Sequence, residues 1–347
     1  MQRHAIAAGL ELPLDHGARD SATIGGAVAT NAGGTRTLRH GTTRANVAGL
    51  EAVLADGTVL RRLGGLPRDN AGYDLPGLIV GSEGTLAVVT RVRLRLVAPP
   101  GRRTTVLCGL ESTAAAVGLL AALRGSLGSL ESCELFYRDG LELVRRHAGT
   151  ARPLPGDHPV YVLVECAAGY DPLQELAGAI AAAGVAETAV ATSAGDRDAL
   201  WAYRERHTEA IQAEGVPHKL DVSLPIAALA DFERDVRARV AGAAPAARVI
   251  LFGHLGDGNL HVNVLDAEPG DERVDDAVLR LVAELGGSIG AEHGIGFAKR
   301  QWLHLTRSAE EIDAMRAVKR ALDPEGILNP GVLLPAARGG RYRPDGS

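Results

Sequence analysis

Between Leu251 and Leu265 the apolar positions run up to Asp257-Gly258 and resume directly after it. Asp-Gly between two such runs predicts a β-hairpin with a two-residue turn. In that register Gly256 faces Asn259, Leu255 faces Leu260 and His254 faces His261. Opposed residues of an antiparallel pair share a face, with Cβ atoms roughly 4.5–5.5 Å apart. Asn263 follows His261 by two positions, so alternation puts it on the same face. A second hairpin is predicted from Leu50 to Arg61 around Asp56-Gly57, and Val88 to Leu96 alternates cleanly. There Val92, Leu94 and Leu96 share one face while Arg91, Arg93 and Arg95 share the other, the pattern of a half-exposed strand.

From 102 to about 270, apolar strand-like runs near 104–110, 130–137, 159–166 and 187–192 are separated by helical stretches near 112–124, 140–148, 172–184 and 196–212. KLDVSLP, from Lys219, predicts a further strand, followed by a helix to about 242. Strands mixed with helices and hairpins in this way predict an α+β domain with an antiparallel sheet. Val274, Ala277, Val278, Leu281, Val282 and Leu285 mark one helix face. Ser308 with Glu311 reads as a capping box for a last helix that ends before Asp323-Pro324. The run Val97-Ala98-Pro99-Pro100-Gly101 breaks the pattern and is taken as a domain boundary. The expected division is 1–100, 101–270, a C-terminal helical segment 271–335 and a disordered tail 336–347.

At 347 residues, 46% hydrophobic, the chain is long enough for two cored domains. A net charge of −5 gives no electrostatic footprint for nucleic acid. Cys108, Cys133 and Cys166 are odd in number and widely spaced, which fits no disulfide framework and suits a reducing compartment. No apolar run approaches the ~18 residues of a membrane helix, and the start lacks the pattern of a signal peptide. A cytoplasmic protein, at most peripheral to a membrane, is expected.

The chemistry concentrates in two places. In Ser288 to Gly296, SIGAEHGIG, Glu292 and His293 sit side by side between glycines. His254, His261 and Glu292 make a two-histidine, one-carboxylate ligand set that suits zinc and leaves a position open for substrate. Thr23 to Gly34, TIGGAVATNAGG, and Gly81 to Leu86, GSEGTL, are small-residue loops that let backbone approach a ligand closely. No GxGxxG follows a strand, no P-loop is present, and Val80 spoils a nucleophile elbow at GSEG. On ligands alone, a hydrolase that uses the metal to activate water is open.

TIGGAVATNAGG, GSEGTL, GHLGDGNLHVNV, AEHGIG and ILNPG, in that order, resemble the FAD-linked oxidase family. This is the branch of the vanillyl-alcohol-oxidase and p-cresol-methylhydroxylase-type flavoproteins that holds D-lactate, D-2-hydroxyglutarate and glycolate dehydrogenases. The resemblance runs from about Ile6 to Leu334. It implies a PCMH-type FAD-binding domain, a cap domain with a large antiparallel sheet, and a C-terminal helical segment returning to the FAD domain. The chain departs from the family in having no counterpart of the first FAD subdomain before Met1, and in Ala27, where Asn is common. A fragment or subunit that does not catalyse or bind FAD alone is therefore an alternative.

The resemblance implies that Gly25, Gly26, Thr30, Asn31, Gly33, Gly34, Glu83, Gly84 and Asn329 line FAD. It implies that His254, His261 and Glu292 hold a divalent metal, zinc first among the choices, and that His293 is the base that takes the substrate hydroxyl proton. Arg204 and Lys219 would bind the substrate carboxylate, with Asn263 nearby in the substrate site. The implied reaction is oxidation of a D-2-hydroxy acid to the 2-oxo acid by hydride transfer to FAD. The electron acceptor would be a cytochrome, a quinone or an electron-transfer flavoprotein, and a homodimer is compatible with the family.

Overall fold

The computed structural model describes residues 1–18 and 21–334. The tail expected to be disordered, 336–347, lies outside the described residues. The chain divides into two compact units. One contains Met1–Gly17, Gly33–Gly41 and Leu96–Ala291. The other contains Ala18–Ala32, Thr42–Arg95 and the segment from Glu292 onward.

In the second unit, strands β1 (Val47–Val53), β2 (Val59–Arg62) and β3 (Val88–Leu94) form an antiparallel sheet with β1 in the middle. The predicted hairpin at Asp56-Gly57 is present, with Val53 opposite Val59 and Gly57 at φ +85°. β3 keeps its alternation: Val92 and Leu94 are half-buried while Arg91 and Arg93 are exposed. Leu50, Ala52, Val28, Ile79, Val80 and Ala87 make this unit's core. TIGGAVATNAGG, read as a loop, opens with a short helix, Ile24–Ala29, because Thr23 caps it by accepting from Gly26 N at 3.0 Å. The capping box at Ser308 is formed, and it starts the Ala309–Leu322 helix.

The first unit is built on seven antiparallel strands in the order β7-β4-β6-β5-β9-β10-β8. They are β4 (Arg102–Leu110), β5 (Leu130–Tyr137), β6 (Val160–Ala168), β7 (Glu187–Val190), β8 (His218–Ser223), β9 (Arg248–His254) and β10 (Asn259–Leu265). The α+β expectation with an antiparallel sheet is met. On one face Leu107, Phe136, Tyr161, Leu163, Ile250 and Phe252 pack under the helices Arg138–Ala148, Ala194–Glu205 and His207–Glu214. The helix expected over 196–212 is thus two helices that meet at Arg206. On the opposite face lie Leu135, Val162, Val164, Val222, Leu251, Leu260 and Val262, all buried, with the helices Thr113–Ser126, Leu173–Ala182, Leu229–Ala243 and Glu272–Glu284 packed against one another and the strands. The three cysteines are free and buried; burial pushes the Cys108 thiol up to about 12 and that of Cys166 to about 11. Among the described residues no helix is long and apolar enough to cross a membrane.

Candidate active site

The β9–β10 hairpin does not turn in two residues. His254 pairs with Asn259 and His261 with Phe252, so the loop is Leu255–Gly258 and the register differs from expectation by two positions. The backbone N–H groups of Asp257 and Gly258 both turn back to the His254 carbonyl, at 3.3 and 3.1 Å. Gly258 sits at φ +78°, where its missing Cβ would lie 2.1 Å from the Leu224 carbonyl oxygen. A shift of two keeps side-chain parity, whereas a shift of one would reverse it. His254 and His261 are therefore diagonal neighbours on one face, with ring centroids 5.6 Å apart and planes at 78°.

Each imidazole meets a carboxylate on the flanking strand. Glu134 of β5 pairs with His254, and its Oε1 accepts from His254 Nδ1 at 2.8 Å. Asp221 of β8 pairs with His261, with Oδ1 3.4 Å from His261 Nδ1, and also accepts from Asn259 Nδ2 at 2.7 Å. Burial lowers the His261 pKa, with Asp221 opposing it, which favours the neutral ring, the form that ligates a metal. Histidines whose other ring nitrogen donates to a carboxylate are the common form of a metal ligand. The pair suits a divalent ion held through Nε2.

Arg204, expected at a substrate carboxylate, is buried on the Ala194–Glu205 helix. Its Nε lies 2.9 Å from Glu134 Oε2, and its guanidinium carbon lies 4.8 Å from the centre of the Phe252 ring. Asn263 pairs with Lys219 across β10 and β8; Asn263 is buried and Lys219 exposed. Of the expected substrate residues, Arg204 is thus tied directly to the histidine pair through Glu134. Lys219 and Asn263 lie on the same sheet face.

In the second unit Glu292 is half-buried and His293 exposed. The loop that follows them is held by Glu83, whose carboxylate accepts from Ile295 N and Gly296 N, each at 2.8 Å. Glu83 N in turn donates to the Ala29 carbonyl at 2.7 Å, and Asn329 Nδ2 donates to the Glu83 carbonyl at 2.6 Å. Asn31 Oδ1 accepts from Arg44 N at 2.8 Å, and Thr30 Oγ1 donates to the Gly26 carbonyl at 3.1 Å. The expected FAD-lining residues Gly25, Gly26, Thr30, Asn31, Glu83, Gly84 and Asn329 therefore converge within this unit. Asn31, Glu83 and Asn329 all have positive φ, at 52°, 53° and 46°. Left-handed non-glycine residues are uncommon and cluster at ligand sites, so this backbone fits a cofactor cradle. Gly33 and Gly34 go instead with the seven-stranded unit, where a Cβ on Gly34 would lie 2.0 Å from the Asp15 carbonyl oxygen.

Two residues of the site escaped sequence reading, Glu134 and Asp221. Glu134 lies 120 positions from its histidine. The signal was an acidic residue in a strand otherwise fit for full burial, because a buried carboxylate needs partners.

The model of the FAD linked oxidases C-terminal domain matches residues 99–333, and a FAD binding domain matches 1–62. A D-2-hydroxyglutarate dehydrogenase of Xanthomonas citri pv. viticola is 42% identical over 340 residues, covering 94% of this chain and 71% of that one. The mitochondrial D-2-hydroxyglutarate dehydrogenase of Bos taurus is 40% identical over 338 residues, covering 94% of this chain and 61% of its own length. The chain thus spans about three fifths to seven tenths of these relatives. A solved structure of alkyldihydroxyacetonephosphate synthase superposes with a TM-score of 0.69 at 15% identity, over 95% of this chain and 61% of that one, and shares the fold.

Proposed function

We propose, for a chain that belongs to the FAD-linked oxidase family, oxidation of a D-2-hydroxy acid to the 2-oxo acid, with D-2-hydroxyglutarate as the first candidate substrate. The observation that carries the reading is the His254–His261 pair, each ring backed by a carboxylate, on the sheet face that also holds Asn263 and Lys219 and that Glu134 ties to Arg204. When bound, FAD accepts the hydride and a divalent metal, zinc first, places positive charge at the substrate hydroxyl.

His254, His261 and Glu292 are the residues that would hold the metal. The chain itself supports the third member. Ser288 bridges Ser223, which is paired with Asn259. Four residues further on, Glu292 lies within about 14 Å of that anchor by chain length alone. His293 removes the hydroxyl proton at a ring nitrogen, as an imidazole can at neutral pH. Arg204, through the two Nη groups beyond its Glu134 contact, and Lys219 bind the substrate carboxylate, with Asn263 orienting it. Gly25, Gly26, Thr30, Asn31, Gly33, Gly34, Glu83, Gly84 and Asn329 line the FAD through main-chain groups. The division at Pro99-Pro100, a cytoplasmic location, a homodimer and an acceptor of the cytochrome, quinone or electron-transfer flavoprotein class belong to the same reading.

The test is anaerobic mixing of the FAD- and zinc-loaded protein with D-2-hydroxyglutarate, D-lactate or glycolate. Bleaching of the flavin band by one of them is the expected result. A flavin-loaded protein that none of the three bleaches would overturn the reading. A protein that takes up zinc, stays colourless and cleaves esters or amides would favour a hydrolase.

A further inference from the structure

Glu134 is 1% exposed, in the middle of the seven-stranded sheet. A carboxylate this dry is stable only when it is charge-paired and hydrogen-bonded. Its Oε1 accepts from His254 Nδ1 at 2.8 Å, and its Oε2 is charge-paired with Arg204, 2.9 Å from Nε though outside hydrogen-bond geometry. Arg204 is itself buried and stacked on Phe252, so it cannot swing away without exposing both partners. We propose that Glu134 is a positioning residue of the metal site, fixing His254 in the tautomer with its proton on Nδ1 so that Nε2 faces the ion, while Arg204 fixes the carboxylate. The inference rests on the reading of His254 as a metal ligand.

The geometry makes the two histidines unequal. Asp221 stands 3.4 Å from His261 Nδ1 and shares the same oxygen with Asn259, a longer contact than the 2.8 Å between Glu134 and His254. Glutamine at 134 keeps the shape of the side chain but removes the charge that pairs with Arg204 and turns one of the two oxygens into an N–H group. Either His254 or Arg204 then faces an N–H group, and the ring loses its fixed orientation. Outer carboxylates of this kind are commonly worth 10–100-fold in metal affinity.

The experiment is a zinc titration of the full chain against a competing chelator, in wild type, Glu134→Gln, Asp221→Asn and His261→Ala. We expect Glu134→Gln to weaken zinc binding about 10–100-fold, and Asp221→Asn to weaken it less. Thermal melts confirm that each variant is folded. If Glu134→Gln binds zinc as wild type does while His261→Ala loses it, the role given to Glu134 is wrong and the metal site stands. If neither change affects binding, or wild type takes up no zinc, the metal reading falls and this inference with it. Should Glu134→Gln not fold, long-range ¹⁵N–¹H spectra of zinc-loaded wild type decide the matter. A His254 ring with its proton on Nδ1 and zinc on Nε2 is expected, and the reverse arrangement would overturn the proposal.

Discussion

Asn259, not His261, stands directly across the strand pair from His254. The two histidines are brought together on the diagonal, and the four-residue loop between them sets that offset. Gly258 holds the loop, since its φ of +78° and its 2.1 Å clearance from the Leu224 oxygen admit no side chain. Gly258→Ala should destabilise the fold by about 1–3 kcal/mol and weaken zinc binding as the rings move apart. Urea denaturation and a chelator competition measure both. A variant with wild-type stability would mean that the loop tolerates another geometry.

Glu292 and His293 are neighbours with different assignments, so their variants should fail differently. His261→Ala and Glu292→Ala should lower bound metal and flavin reduction together. His293→Ala should keep the metal and cost roughly 10²–10⁴ in rate, the usual worth of a positioned base. Metal analysis beside stopped-flow flavin reduction separates the two. Loss of metal in His293→Ala with retention in Glu292→Ala would reverse the roles.

Glu83 fastens the loop behind His293 through two backbone N–H groups at 2.8 Å. Hydrogen bonds to a charged group contribute about 1.5–3 kcal/mol, and the low end applies here because Glu83 is half-exposed. Glu83→Ala should therefore lose about that much stability and lower kcat more than it raises KM. Gly294→Ala should act on the same contact, because its Cβ would lie 2.5 Å from Glu83 Oε1. Steady-state kinetics with denaturation curves test both. A KM effect alone would place Glu83 in substrate binding instead.

His207 packs between Phe136 and Phe252, with ring centroids at 5.2 and 5.0 Å, and burial pushes its pKa down to about 3. The unfolded chain holds an ordinary histidine, near 6.5. Between those values the unfolded state binds the extra proton. Stability must therefore fall as pH drops from about 6.5 toward 3, with a slope of up to about 1.4 kcal/mol per pH unit, and be unaffected by this group above 6.5. His207→Leu should flatten that acid limb. Urea midpoints at two acidic pH values and at neutral pH decide it, and an unchanged slope would assign the limb to other groups.

Much of this fold could be read from the chain because local signals agreed with the tertiary result. Val92 alternates with Arg91 and Arg93 because one side of β3 packs on the core there and the other meets solvent, and Ser308 with Glu311 caps a helix because those two side chains satisfy N–H groups at its start. The hairpin between Leu251 and Leu265 was legible, but its loop length was not. Asp257-Gly258 carries the dipeptide of a two-residue turn, yet both N–H groups close on His254, and the contact with Leu224 that selects this loop comes from another strand end. The break at Arg206 had no glycine or proline to announce it. The short helix Ile24–Ala29 was too brief for any periodicity to show. Among candidate site residues, the histidines were visible in one stretch, whereas Glu134 and Asp221 reach them only through strand order, which no local pattern encodes.

The polypeptide passes between the two compact units five times, at Gly17-Ala18, Ala32-Gly33, Gly41-Thr42, Arg95-Leu96 and Ala291-Glu292. Neither unit is one continuous stretch, so neither can be obtained by trimming the gene from its ends. Any single protease cut leaves at least one fragment carrying pieces of both. A stop codon after Ala291 would spare every residue of the seven-stranded unit, yet strip the other unit of the segment that Glu83 and Asn329 tie into it. Dissecting this protein into working halves therefore calls for excising internal segments and rejoining the ends, not for a choice of truncation point.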